Sequence, residues 1–237
     1  MLKLFITGVE QNKNKIFITS GIAATMQSLG YSCGVYKPFE TGVKQEKNGK
    51  FVSKELSYIK FLDPFINTYY SYQLEKDTSP ILSAAQEGLV MEKDVILRDF
   101  QKIQDKDECL IIDGLSGLGT PLSKNFLEED VIKMLDVPVL FVVSGKNPDI
   151  NNTLLSVNRA KELGIKINGI IINDYPYDSD DENIKIMPKL IEEYTGEKIL
   201  GILPEINKNI NPEDLITVIL NGVDIESVFK IRIAKLQ

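Results

Sequence analysis

Six short apolar runs, at residues 2–7, 33–36, 109–113, 137–144, 168–173 and 199–203, are continuous in hydrophobicity and often β-branched. A strand wetted on one face alternates apolar and polar residues, so unbroken runs predict strands covered on both faces. Between them the apolar spacing predicts helices over 16–29, 54–62, 80–88, 92–104, 128–135, 152–163 and 187–194, with Gly30, Gly88, Gly164 and Gly196 as stop signals. Alternation of this kind predicts an α/β fold, a doubly wound, mostly parallel sheet whose ligands bind at the carboxyl ends of its strands. At 237 residues and 43% hydrophobic content, a single domain over 1–237 is the expectation.

The functional residues are therefore sought just after each strand, and composition narrows their chemistry. The chain has no histidine, which excludes Ser-His and Cys-His nucleophile pairs and imidazole metal sites. Catalysis would rest on lysines, carboxylates, hydroxyls and backbone amides. A net charge of −7, with basic residues scattered, argues against nucleic-acid binding. No apolar run approaches the roughly 20 residues of a membrane span, and the N-terminus lacks a signal-peptide layout, so a cytoplasmic location is expected. Cys33 and Cys109 sit beside apolar runs and read as core thiols.

The first strand-to-helix corner, "GVEQNKNKIF", has the Gly8-to-Lys15 spacing of a phosphate-binding loop. Such a loop turns backbone amides and a helix N-terminus toward an anion, with the lysine on the outer phosphates and the next hydroxyl on Mg²⁺. Here Asn14 stands where the loop carries Gly, and Ile16 where it carries Ser or Thr. Asn tolerates a left-handed backbone better than most residues, which would preserve the loop's shape. Ile16 offers no oxygen to a metal. Taken alone, the stretch reads equally as a plain strand-turn-helix corner.

Further landmarks follow in order: "YKPFETG" (36–42), "TSP" (78–80), "DGLSGLGTPLS" (113–123), "VPVLFVVSGKNPDIN" (137–151), "NGIIIND" (168–174) and "LGILPEI" (200–206). Together they resemble, along nearly the whole chain, the dethiobiotin synthetase family of the P-loop NTPase superfamily, with a degenerate phosphate-binding loop. The resemblance implies an ATP-dependent ligase of biotin biosynthesis. Diaminopelargonic acid is carbamated by CO₂, ATP phosphorylates the carbamate, and ring closure expels phosphate to leave dethiobiotin. By that resemblance Lys15 and Lys37 are catalytic, stabilising carbamate and transferring phosphoryl. Gly8, Lys13, Asn14, Lys15, Asn173 and Pro204 would hold ATP, Asn173 reading adenine. Thr41, Gly117 and Asn151 would face the substrate, in a pocket that in the family lies against the second subunit of a homodimer.

The family's Mg²⁺ would sit among the loop hydroxyl, an acid early in the helix after "YKP", and a strand-end Glu. The matching positions here are Ile16, Lys54 with Glu55 beside it, and Asp113, so Glu55 and Asp113 are the remaining metal candidates, and Lys13 and Lys54 add positive charge in the metal's stead. Two other readings share these landmarks: a catalytically impaired relative that keeps the fold and binds a nucleotide or a partner, and a different P-loop amidoligase or regulatory domain. Two stretches read as loops, the aromatic Tyr69–Tyr72, either a site cover or local packing, and the acidic residues 178–182, a solvated turn.

Overall fold

Among the residues described by the computed structural model, 1–10, 14–47, 49, 51–146 and 149–233, the elements run in chain order as follows. They are β1 (Leu2–Gly8), α1 (Lys15–Ser28), β2 (Cys33–Thr41), β3 (Lys44–Gln45), β4 (Phe51–Val52), α2 (Lys54–Leu62), β5 (Asn67–Leu74), α3 (Pro80–Gln86), α4 (Lys93–Ile103) and β6 (Cys109–Asp113). There follow β7 (Pro121–Ser123), β8 (Phe126–Leu127), α5 (Glu128–Leu135), β9 (Val139–Ser144), α6 (Ile150–Glu162), β10 (Ile167–Asn173), α7 (Glu182–Thr195), β11 (Ile199–Ile202), α8 (Pro212–Gly222) and α9 (Ile225–Phe229).

Seven of the strands form one parallel sheet in the order β11-β10-β9-β1-β6-β2-β5. The five residues of β6 are all buried, as an unbroken apolar run requires of a strand covered on both faces. One face packs on α1, α2, α8 and α9 through Ile18, Ile22, Ile59, Leu215, Ile219 and Val228. The other packs on α4, α5, α6 and α7 through Ile96, Phe100, Val131, Ile132, Val157, Met187 and Ile191. From β1 the chain passes outward to β2 and β5, returns to β6 at β1's side, then crosses to β9, β10 and β11. Winding thus reverses at β1, and in sheets of this kind the crevice at that reversal is where ligands bind.

Two expectations are corrected here. Tyr69–Tyr72 is no loop or cover but lies in the edge strand β5, paired to β2 alone. Its aromatics pack along the sheet: Tyr72 stacks on Phe39 at 6.0 Å, and the Tyr69 hydroxyl donates to Asp107 at 2.8 Å. The strand was obscured because an edge strand keeps polar residues such as Asn67, Ser71 and Gln73. The acidic stretch 178–182 ends in a helix start: Asp181 accepts from the Asn183 amide at 2.8 Å, and α7 begins at Glu182 rather than 187.

Candidate functional site

Sheet register brings the candidate charges together. The last β2–β6 pair is Tyr36 with Ile112, so the next residues, Lys37 and Asp113, emerge side by side at the strand ends. Ile6 of β1 pairs with Asp113 on the other side, and α1 opens at Lys15 above the same strands. Asp113 accepts from the ammonium groups of both Lys15 and Lys37, and from the Thr19 hydroxyl at 2.7 Å. Lys37 also meets Glu55 and lies 3.5 Å from Glu40. The side chains of Lys15, Lys37 and Asp113 are 9, 7 and 1% exposed, so these are ion pairs shielded from water rather than surface contacts.

Burial alone would lower the Lys37 ammonium, but Asp113, Glu55 and Glu40 hold it well above the ordinary lysine range. Burial would likewise raise Asp113, yet Lys15 and Lys37 hold its carboxyl well below the usual carboxylate range. Lys37 and Asp113 are therefore both charged at neutral pH. Burial pushes the neighbouring Glu40 carboxyl up, against the pull of Lys37.

Lys15, Lys37, Thr41, Glu55 and Asp113 line one open cavity of about 610 Å³, together with Lys54 and Thr78. Gly8 ends β1, where a Cβ would come within 2.7 Å of the Glu10 carbonyl oxygen. Gly117, at φ +147°, lies alongside it, where a Cβ would stand 3.5 Å from the Gly8 oxygen. Asn151 is exposed in the first turn of α6, and Pro204 is exposed beyond β11; neither lines this cavity. Lys13 lies outside the described residues.

Asn14 departs from expectation. Its φ of −92° and ψ of 0° are right-handed, so the left-handed tolerance of Asn goes unused. Its side-chain amide instead donates to Asp174 at 2.9 Å, tying the entrance of α1 to the turn after β10. Beside that turn, Asn173 is fully buried, and neither Nδ2 nor Oδ1 has a hydrogen-bond partner. A buried amide with donor and acceptor both unanswered is costly, and it offers the pair of groups that an adenine edge satisfies. ATP therefore fits the residues present.

A divalent cation does not. Ile16 supplies carbon only, the Asp113 oxygens face two ammonium groups, and Glu40, Glu55 and Asp113 converge on the Lys37 nitrogen rather than on an open centre. No group of three or more His, Cys, Asp or Glu among the described residues is arranged to hold a metal.

Thr19, Glu40 and Glu128 were not singled out from the sequence. Thr19 carries a signal in retrospect, standing one helical turn after Lys15 on the same face. Glu40 falls where the "YKP" pattern admits any residue. Glu128, 1% exposed at the start of α5, accepts from Thr7 at 2.9 Å, from the Leu115 amide at 2.7 Å and from the Gly117 amide at 3.3 Å. Burial pushes its carboxyl up to about 7, against the opposing pull of those bonds and of Lys15. A carboxyl raised in the fold binds more protons there than in the unfolded chain, so it stabilises least once pH exceeds the raised value. As pH rises from about 4.5 to about 7, Glu128 should remove on the order of 3 kcal/mol of stability. Urea unfolding at pH 5 and pH 7.5 should show Glu128→Gln with the smaller loss; equal losses would refute this.

Comparison with known proteins identifies the relatives of the whole chain. A family model described as AAA domain matches residues 3–213. The ATP-dependent dethiobiotin synthetase BioD of Bacillus subtilis is 30% identical over 227 residues, covering 95% of this chain and 96% of the relative. That of Nitrosopumilus maritimus is 28% identical over 234 residues, covering 97% and 100%. In fold, the MinC:MinD cell division complex of Aquifex aeolicus superposes with a TM-score of 0.60 at 14% identity, over 97% of this chain and 95% of that one. MinD of Pyrococcus horikoshii, complexed with Mg-ADP, gives 0.59 at 14% identity, over 96% and 95%. These likenesses establish the P-loop NTPase fold, and the end-to-end match to the synthetases establishes the closer kinship: the chain belongs to the dethiobiotin synthetase family.

Proposed function

We propose that the chain is an ATP-dependent ring-closing ligase that converts diaminopelargonic acid, CO₂ and ATP to dethiobiotin, ADP and phosphate. The observation that carries the reading is the pair of buried lysines, Lys15 and Lys37, gathered on Asp113 beside the cavity. One substrate nitrogen attacks CO₂ and gives up its proton, forming a carbamate. A carbamate oxygen then takes the γ-phosphoryl group, releasing ADP, and the second nitrogen attacks the carbamate carbon as phosphate departs. Every step builds or moves negative charge on oxygen, and no enzyme nucleophile is needed. Ammonium groups fixed by burial beside the cavity stabilise such charge effectively.

In this scheme Lys15 serves the phosphates at the N-terminus of α1, Lys37 serves the carbamate, Thr41 orients the diamine and Asn173 reads adenine. Asp113 holds both ammonium groups in place until anions arrive. No metal ligand of the protein enters the scheme. Removing Mg²⁺ with a chelator is accordingly expected to change ATP affinity by less than about tenfold, since Ile16 gives a hard cation no oxygen. The test is an ATP titration with and without Mg²⁺, followed by phosphate release with diaminopelargonic acid and bicarbonate. ATP binding with no diamine-dependent phosphate release would favour the impaired relative. Steep metal dependence with brisk turnover would overturn the metal-poor site.

A further inference from the structure

Glu128 lies outside the cavity, yet its carboxylate is bonded to both segments that build the site's floor. Thr7, one of its donors, immediately precedes Gly8; Leu115 and Gly117, the others, belong to the turn that follows Asp113. Gly114, Leu115 and Ser116 of that turn line the cavity. The approach is close: a Cβ at Gly114 would stand 2.2 Å from the Glu128 Oε1 and 2.4 Å from the Phe5 ring, so only glycine lets the turn pass. The backbone of α5's first residues joins the same turn, the Glu128 amide donating to Thr120 and the Glu129 amide to Leu118, each at 3.0 Å. A buried carboxylate that accepts three such bonds holds its donors firmly, and its loss leaves them unsatisfied.

We propose that Glu128 is a positioning residue, its carboxylate fixing the Leu115–Gly117 backbone against the end of β1 and so setting the affinity for the diamine without joining in bond making. The diamine part rests on the ligase reading; the backbone clamp does not. The two are separable in one experiment on the full chain, with amide hydrogen exchange, ATP titration, and KM and kcat for diaminopelargonic acid measured in parallel. In Glu128→Ala, exchange at Leu115 should quicken by at least about tenfold, and KM should rise about tenfold, with kcat and ATP affinity changed by less than about threefold. Glu128→Gln keeps an acceptor oxygen for Thr7 and Leu115 but turns an amide toward Gly117. It should therefore quicken exchange at Gly117 while leaving Leu115 within about threefold of the unmodified protein.

That site-selective pattern decides the clamp even if Glu128→Ala does not fold. Unchanged exchange at both amides in Glu128→Gln would overturn it. A fall in kcat matching the loss in kcat/KM would overturn the positioning role. Failure of the unmodified protein to consume the diamine would refute the ligase reading, and with it the claim on diamine affinity, while the exchange data still decide the clamp.

Discussion

Asp113→Ala is expected to destabilise the fold by about 3–5 kcal/mol, the range for removing one partner from a buried ion pair. Two ammonium groups lose their shared counter-charge at once. Lys37 keeps Glu40 and Glu55, while the side chain of Lys15, only 9% exposed, keeps no carboxylate within ion-pairing distance among the described residues. Urea unfolding of the variant checks this; a loss below about 1 kcal/mol would mean that water solvates the lysines in place of the acid. The sign with pH is also set. The folded-state Asp113 titrates below the usual carboxylate range, so its contribution is complete above the unfolded value near pH 4 and is lost as pH falls toward the folded one. The difference between the natural protein and Asp113→Ala should thus shrink in acid and stay constant from pH 5 upward.

Lys15→Ala should weaken ATP binding by about ten- to a hundredfold. A charge-assisted contact from lysine to phosphate contributes roughly 1.5–3 kcal/mol, and here its removal also uncovers the Asp113 carboxylate, which repels the incoming anion. Calorimetric titration measures the effect directly. Binding within about threefold of the natural protein would show that the nucleotide's phosphates do not meet Lys15, and the loop beginning at Gly8 would lose its assigned role.

The buried strands were legible because covering a strand on both faces removes polar residues from it; β6 spans the same residues, 109–113, that its apolar run marked. Helix α2 likewise matched its predicted span, 54–62, helped by Ser53 as its cap. Edge strand β5 was missed because a strand with one neighbour tolerates polar residues, and α8 because its start signal, Asn211 before Pro212, went unread. Within the site, Lys15, Lys37 and Asp113 were reached through the motifs they stand in, whose order along the chain resembles that of the family; their places at element ends alone read equally as ordinary turns. Glu128 did not, because its role arises where α5 meets a turn more than ten residues earlier, a meeting that no local pattern encodes. Asn14 was misjudged in backbone conformation for a similar reason: its side-chain partner, Asp174, is 160 residues distant.

The central place of β1 has a consequence for how the protein comes into being. Its two neighbours begin pairing at Cys109 and Val139, so a chain emerging from the ribosome carries its first apolar strand for more than a hundred residues before either flank exists. Contacts so distant in sequence form slowly, and an unpaired apolar strand invites other chains to its edges meanwhile. Lys15 too must wait for Asp113, 98 residues later in the chain, so the anion-binding end of the sheet cannot be assembled until that residue has been made. The early chain is thus the stage at which holdase chaperones have most to bind, and the stage at which aggregation competes most directly with folding.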